Sequence, residues 1–379
     1  MRVRNLPGMA TWILRLDDHR RGLRVAVKDL IDIVGTPTTA ACAAVAATAA
    51  VATRDAECLA GLRAAGVVIV GKTNLHELAF GGTGVNAAFG TPVNPFDPEC
   101  IPGGSSSGNA VALANGEVDI AIGTDTGGSI RTPSACCGTA GLKTTWGRVS
   151  TTGVWPLAPS LDTIGPMARE VGGLVKGMAM LEPGFAAGVA TTVIGRVELP
   201  AVDPAIDAAI DNLLAAAAIT VIPISLPGWD AAIQAGSDIL LYEVWHHDGP
   251  LYQHHRAGLG PDIQAQLRQA RTMTESGYRE ALVHRTAWRH ELAAAFRQAP
   301  VLAWPTLAVF PPRIGAHPPN TRRTNIAVNL AGHPSLALPI PTAGRFPASV
   351  QLVGPDGSED RLCGTGLVLE AAAATLRPR

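Results

Sequence analysis

The sequence predicts an α/β fold, in which a parallel or mixed sheet is covered by helices. Short apolar segments rich in β-branched residues alternate along the chain with segments of helical periodicity. The chain has 379 residues, of which 47% are apolar and 16% are charged, so it is long enough to bury a sizeable core. The same composition excludes a disordered chain.

The individual elements follow from periodicity and from turn residues. Strands are predicted at 24–27, 67–70, 118–122, 219–224, 301–304, 336–340 and 349–353, and helices at 54–65, 109–115 and 361–375. Four prolines make 90–102 an irregular loop, and Gly/Ser turns are expected at 103–108 and 123–129. Residues 184–218 are Ala-rich with little periodic signal. Residues 231–298 are predicted to be helical, as a subregion inserted over the sheet.

Charge and cysteine usage exclude several classes of protein. Lys and Arg total 30 against 31 Asp and Glu, which gives no electrostatic case for nucleic acid or an anionic membrane as a partner. The six cysteines form no CxxC pair, which argues against a disulfide framework or a zinc site. Residues 1–19 lack the pattern of a secretory leader, and 35–53 is too weakly apolar to span a bilayer. We therefore expect a cytoplasmic protein.

Two short motifs match well-known sites, but their context does not fit. Residues 66–73, GVVIVGKT, match the phosphate-loop pattern, but the variable positions are Val and Ile and read as the strand itself. Residues 104–108, GSSSG, match the nucleophile elbow with Ser106 as nucleophile, but a Pro-rich loop precedes them where a strand is required. Nucleotide binding is therefore a minor alternative, and an α/β-hydrolase elbow stays open.

A dense histidine cluster lies at 246–255, with the sequence HHDGPLYQHH. Metal ligands must converge from one direction, and Gly249 and Pro250 are expected to interrupt any helix between the two histidine pairs. We therefore assign no metal to these residues.

Two Gly-Gly-Ser turns carry the clearest chemical signal. They are Gly103–Gly104–Ser105 and Gly127–Gly128–Ser129, and the second is flanked by Asp125 and Arg131. Consecutive glycines allow several backbone N–H groups to surround one point, which is what an oxyanion hole requires.

A serine nucleophile needs a base, and the sequence offers two candidates. His76 is the histidine to consider, although a structural role suits it equally well. Lys28 ends an apolar strand, where burial would lower the pKa of its amine toward neutrality. A surface ion pair of Lys28 with Asp29 or Asp32 is the alternative interpretation. The other three lysines, Lys72, Lys143 and Lys176, are taken as ordinary.

Several long segments together resemble the amidase signature family of serine hydrolases. The match is dense from residue 22 to 169 and weaker from 301 to 370. Its main segments are RVAVKDLIDIVGTPTTA, NPFDPECIPGGSSSGNAVALANG and AIGTDTGGSIRTPSACCGTAGLKTTWGRVS. The resemblance implies a central mixed sheet of many strands sandwiched by helices. We expect one such domain over 1–379, with the catalytic motifs in 22–169 and the helices at 230–300 capping the substrate pocket.

The resemblance also implies residue roles. Ser129 would be the nucleophile, Ser105 a proton relay joined to Gly104 by a cis bond, and Lys28 the base. Backbone N–H groups of Thr126, Gly127, Gly128 and Ser129 would form the oxyanion hole. Asp125, Arg131, Ser106 and Gly104 are expected to support this set, and the substrate pocket is expected to be lined by Leu78, Ala79, Phe80, Gly81 and Gly82.

The implied activity is hydrolysis of the C–N bond of a small linear amide through an acyl-enzyme, with no metal or organic cofactor. The expected partner is a small-molecule amide, without nucleic acid or membrane, and a homodimer is left open. The alternatives are a glutaminase-type subunit of a tRNA-dependent amidotransferase and a biosynthetic acyl transferase on the same scaffold.

Overall fold

A computed structural model describes residues 3–4, 10–16, 20–316 and 322–376. The prediction that residues 1–19 are not a secretory leader falls largely on residues that the structure does not describe. The strands found in it are β1 Val3–Arg4, β2 Trp12–Leu16, β3 Arg24–Lys28, β4 Val68–Thr73, β5 Ile120–Asp125, β6 Ala140–Lys143, β7 Thr163–Ala168, β8 Val193–Val197, β9 Thr220–Ile224, β10 Leu302–Pro305, β11 Ser335–Ile340 and β12 Ala348–Val353. They form one sheet in the order β1-β2-β4-β3-β5-β7-β6-β11-β12-β10-β8-β9.

The sheet is mixed. Strand β3 runs parallel to both neighbours, β4 and β5, and β8 runs parallel to β9 and β10. The remaining pairs are antiparallel. The predicted fold class is therefore confirmed.

Helices cover both faces of this sheet. They are α1 Ala43–Ala46, α2 Ala60–Ala64, α3 Ser107–Ala114, α4 Arg131–Cys137, α5 Val171–Leu181, α6 Pro204–Ala216, α7 Trp229–His254, α8 Pro261–Ala270, α9 Glu275–Gln298, α10 Ile326–Ala331 and α11 Glu359–Thr375. Strand β10 contacts both layers of helices, since successive side chains of a strand point to opposite faces of the sheet. Leu302 and Trp304 pack with α7, α9 and α10, whereas Ala303 packs with α5, α6 and α11.

The geometry that matters for function lies at the carboxyl end of β3 and β5. Val27 pairs with Ile122, so the two parallel strands end side by side at Lys28 and Asp125. In α/β sheets ligands bind outside the carboxyl ends of strands. The loop that follows β5 leads into α4, and the turn that precedes α3 lies beside it.

Three local predictions differ from the structure. The helix expected at 54–65 is reduced to a 3-10 turn at Glu57–Leu59 and the short helix α2. Residues 184–218, for which little periodic signal was found, contain β8 and α6. The sequence does indicate the start of α6, because Asp203 is an N-cap residue and Pro204 follows it.

Helix α7 also continues through Gly249 and Pro250 to His254, against the prediction of a break. Asp248 and Gly249 are buried in this part of the helix. Packing against α8, α9 and α10 therefore outweighs the single hydrogen bond that the proline removes. Among the helices of the described ranges, none combines the length and apolar character that crossing a membrane requires.

Candidate active site

Lys28 ends β3 with its side chain fully buried. Its Nζ donates hydrogen bonds to Ser105 Oγ at 2.6 Å and to Thr124 Oγ1 at 2.8 Å. The alternative of a surface pair with Asp29 or Asp32 is excluded, because the Lys28 side chain is not at the surface. Asp29 is also buried, and its carboxylate lies 2.7 Å from Lys72 Nζ. The structure therefore brings the Lys28 amine to the serine of the first Gly-Gly-Ser turn.

The electrostatics of this pocket suit a lysine that exchanges protons. Burial lowers the pKa of Lys28 to about 7, and the negative charges of Asp125 and Asp162 oppose part of that shift. At neutral pH a substantial fraction of the amine is therefore uncharged, which is the form that can accept a proton.

The turn that holds Ser105 is fixed by its backbone. The Gly104–Ser105 peptide bond is cis. The N–H of Gly104 donates to the Gly82 carbonyl at 2.8 Å, and the Ser105 carbonyl accepts from the N–H of His76 at 3.0 Å. A Cβ on Gly104 would lie 2.7 Å from the backbone nitrogen of Gly84, so no larger residue fits there.

Ser129 follows the second turn and borders a narrow crevice. The crevice is lined by Ala79, Gly81, Gly82, Gly104, Thr126, Gly127, Ser129, Thr132, Leu157, Leu240 and Arg322. The Ser129 carbonyl accepts from the N–H of Ser106 at 3.1 Å, which ties the two Gly-Gly-Ser turns together. Residues expected from both turns thus meet around one opening.

The Asp125 carboxylate holds the loop that carries Ser129. It accepts from the N–H of Gly128 at 2.8 Å and of Ile130 at 3.0 Å, and it pairs with Arg131 through Nε at 3.1 Å and Nη2 at 2.9 Å. Burial by itself would raise the pKa of Asp125, but the Arg131 guanidinium holds it well below its usual range. Asn329 closes the network with a hydrogen bond of 2.9 Å to Asp125. The expected supporting role of Asp125 and Arg131 therefore has a geometric basis.

One expected oxyanion donor is already engaged. The Gly128 N–H points to Asp125, so it is not available to a substrate oxygen. The N–H groups of Gly127 and Ser129 remain candidates, since both residues border the crevice. Thr126 also borders it, and its hydroxyl donates to Asp162 at 2.6 Å. The expectation for Gly128 is thus corrected from a donor to a support of the loop.

The two glycines of this turn should therefore respond differently to alanine. A Cβ on Gly128 would lie 2.7 Å from Asn325 Cβ, and the residue has a φ of +117°. We expect Gly128→Ala to lower the free energy of unfolding by about 1–3 kcal/mol. On Gly127 the nearest atom would be 3.7 Å away, so Gly127→Ala should unfold close to wild type. Thermal denaturation of both variants tests this, and equal melting temperatures would contradict it.

Only part of the segment 78–82, which was expected to line the substrate pocket, borders the crevice. Ala79, Gly81 and Gly82 border the crevice. Leu78 instead lies in the hydrophobic core, and buried Phe80 lies beneath the Arg322 guanidinium, with Cζ 5.4 Å from the ring centre. The difference arises because Leu78 and Ala79 adopt positive φ angles, so the chain turns abruptly here and does not present a continuous edge.

The remaining motifs have structural roles. Gly71, Lys72 and Thr73 of the phosphate-loop match lie within β4, so no loop exists there to surround a phosphate. Lys72 and Lys143 are fully buried, which corrects their interpretation as ordinary lysines; Lys143 Nζ donates to the carbonyls of Thr144 and His333. Ser106 is fully buried and does not border the crevice.

The histidine cluster lies at the end of α7, with His255 one residue past the helix. His246 Nδ1 contacts the Tyr242 carbonyl and His247 Nδ1 contacts Asp248, each at 2.8 Å. No group of three or more His, Cys, Asp or Glu residues converges as a metal site anywhere in the part of the chain that the structure describes.

Three residues of the site were missed by sequence reasoning. Because Val27 pairs with Ile122, Thr124 lies one residue beyond the position opposite Lys28. The hydrogen bond between Lys28 and Thr124 therefore follows once β3 and β5 are paired. Asp162 precedes β7 and accepts from Thr126 Oγ1 and from the N–H of Leu157 at 2.9 Å. Arg322 borders the crevice from a distant part of the chain, and no local pattern marked it.

Comparison with known proteins agrees with this geometry. The chain matches the Amidase family over residues 16–182 and 182–363. It is 31% identical to a subunit of the glutamyl-tRNA(Gln) amidotransferase of Methanospirillum hungatei JF-1, over 94% of each chain. It is 35% identical to the 2-amino-5-chloromuconic acid deaminase of Comamonas testosteroni, over 92% of this chain and 81% of the deaminase. A crystal structure of an amidase superposes with a TM-score of 0.86 at 32% identity, covering 92% of this chain and 84% of the other.

These relatives correct one expectation and establish another. The expectation of a small-molecule amide as the partner, with a homodimer left open, is wrong, because a relative that matches nearly the whole chain is one component of an amidotransferase. The family resemblance, in contrast, is confirmed by the match over both halves of the sequence and by the solved structure of an amidase. The chain belongs to the amidase signature family.

Proposed function

We propose that this chain hydrolyses the C–N bond of a carboxylic amide, with Ser129 as nucleophile, Ser105 as proton relay and Lys28 as base. The observation that carries the proposal is the buried Lys28 amine, 2.6 Å from Ser105 Oγ and with its pKa lowered by burial to about 7. A base of that pKa is matched to work at neutral pH.

In the proposed reaction Ser129 Oγ attacks the amide carbonyl while its proton passes to Ser105, whose own proton passes to uncharged Lys28. The N–H groups of Gly127 and Ser129 stabilise the oxygen that becomes negative. Ser105 then donates a proton to the leaving nitrogen and regains one from Lys28, so the C–N bond breaks and ammonia or an amine departs. Water attacks the ester on Ser129 by the same route, releases the acid and restores the serine.

For the biological role, we propose a glutaminase-type subunit that releases ammonia within an amidotransferase assembly. The support is the 31% identity to a glutamyl-tRNA(Gln) amidotransferase subunit over 94% of both chains. Six free cysteines, all buried, suit a reducing compartment, and we propose the cytoplasm.

A second candidate is a deaminase or amidase that acts on a small acid outside such an assembly. The 35% identity to 2-amino-5-chloromuconic acid deaminase favours it. The two candidates share the same reaction centre and differ in the compound whose C–N bond they break.

The experiment combines serine labelling with ammonia release. A fluorophosphonate probe is expected to add once to Ser129, detected by intact mass and peptide mapping. Ammonia release is then measured from glutamine and from a panel of other amides, with the chain alone and with proteins that co-purify with it. Release from glutamine supports the subunit role, whereas release from other amides alone supports the second candidate. Absence of both labelling and hydrolysis would refute the reaction itself.

A further inference from the structure

A cavity of about 530 Å³ adjoins the Ser129 crevice. It shares Gly81, Gly82 and Arg322 with that crevice, and it is otherwise bordered by residues that include His76, Asp262 and Gln266. A substrate whose carbonyl reaches Ser129 would therefore extend its acyl part past Arg322 into this larger space.

The Arg322 guanidinium is held in a defined orientation at the junction of the two spaces. Its Nη2 donates to Gln266 Oε1 at 3.0 Å, and its Cζ lies 5.4 Å above the ring of Phe80. Its Cδ is 3.9 Å from the position that a Cβ on Gly127 would occupy, so the side chain adjoins the loop proposed to bind the oxyanion. Burial lowers the pKa of Arg322 to about 10, which leaves it charged at neutral pH.

The charges of the cavity favour an anion at this point. The carboxylate of Asp262 is directed to His76, with Oδ2 3.1 Å from Nε2. Arg313, at the outer wall, pairs with Glu99 at 2.7 Å and is largely exposed. An arginine fork aligned by a neutral amide and an aromatic ring is well suited to bind a carboxylate in a bidentate manner.

We propose that Arg322 binds a carboxylate on the acyl part of the substrate, so that the enzyme selects amides of short dicarboxylic acids. This inference rests on the proposed amide hydrolysis at Ser129. Because Arg322 adjoins Gly127, only a short chain can separate the carboxylate from the scissile carbonyl. Glutamine falls within this class, as do simpler monoamides.

The test compares amides that differ in one terminal group. Glutaramate carries a carboxylate, 5-methylhexanamide replaces it with an isopropyl group of similar shape, and 5-aminopentanamide carries a positive charge. For the wild type we expect kcat/KM for glutaramate to exceed that for 5-methylhexanamide by about 10- to 100-fold, with the cationic amide poorest. Arg322→Met should abolish this preference, and Arg322→Lys should retain part of it because the charge remains.

Arg313→Gln is the matched control, since it removes a cation from the same cavity that is exposed and already paired. It should leave the preference unchanged. Labelling of Ser129 by fluorophosphonate is measured on every variant, and it reports the serine chemistry separately from substrate choice. If the wild type is labelled at Ser129 but has equal kcat/KM for glutaramate and 5-methylhexanamide, the proposed carboxylate site is wrong, whereas the proposed serine chemistry is unaffected. If Arg322→Met does not fold, the wild-type comparison and protection of Ser129 by glutarate still decide the question.

Discussion

Replacing Ser129 with alanine is expected to reduce kcat/KM for amide hydrolysis by about 10⁴-fold or more. The variant lacks the oxygen that would form the acyl-enzyme, so both the attack and the covalent intermediate disappear. The residue is only 8% exposed and borders the crevice, so its removal should leave the fold intact. The measurement is steady-state hydrolysis of the best amide from the panel, together with fluorophosphonate labelling, which should be lost.

Ser107 offers a matched control for this substitution. It lies at the start of α3 near the first Gly-Gly-Ser turn, and its buried hydroxyl finds no hydrogen-bond partner among the described residues. Ser107→Ala should therefore retain wild-type activity and labelling. Undiminished hydrolysis by Ser129→Ala, or labelling that moves to another serine, would show that the nucleophile has been misassigned.

Replacing Lys28 with methionine should have the second largest effect, a loss of about 10²- to 10⁴-fold in kcat/KM. Methionine fills a similar volume but cannot accept the proton relayed by Ser105. In the proposed reaction the uncharged amine is the active form. Since burial lowers the pKa of Lys28 to about 7, kcat/KM should rise about tenfold per pH unit below that value and level off above it. The variant should lack this rise.

The stability of the variant separates chemistry from folding. The pKa of Lys28 is about 7 in the folded chain and near its ordinary value of 10.5 when unfolded. The unfolded state therefore binds more protons between these values, so this group makes stability increase with pH across that interval and is most unfavourable below pH 7. At about pH 6, Lys28→Met should consequently melt no lower than wild type. A variant with full activity and an unchanged pH profile would exclude Lys28 as the base.

Asp162 provides a finer test of the same pKa. Its negative charge raises the pKa of Lys28 against the effect of burial. Asp162→Asn keeps the hydrogen-bonding shape beside Thr126 and removes the charge, so the acid limb of the pH profile should move to lower pH. A shift toward higher pH would contradict the electrostatic account.

The residues proposed to react could be named from the sequence because they lie in short stretches with a local signal. Two Gly-Gly-Ser turns and a lysine at the end of an apolar strand are local features, and each has a chemical reason to occur. Pairing of β3 with β5 then brings Lys28 beside Thr124, a contact set by strand register. Register depends on hydrogen bonds between distant segments, so that contact could not be read from either strand alone.

Helix α7 shows the opposite situation. Gly249 and Pro250 are local signals for a break, and they were misleading because contacts with α8, α9 and α10 stabilise the continuous helix. The Gly128 N–H was misjudged for a related reason. Its partner, Asp125, is only three residues away, but the direction of that carboxylate depends on Arg131 and on Asn329 from α10.

Local residue order was sufficient to indicate the α/β class, the family and the residues proposed to react, since strands, turns and a serine with its base leave patterns over a few tens of residues. The surroundings of the substrate arise only on folding. Arg322 and Gly127 border the crevice, and Gln266 holds Arg322 from the adjoining cavity, although the three residues are far apart in the sequence. Contacts between segments so far apart leave no local pattern, and for that reason only the folded chain shows the residues proposed to select the amide.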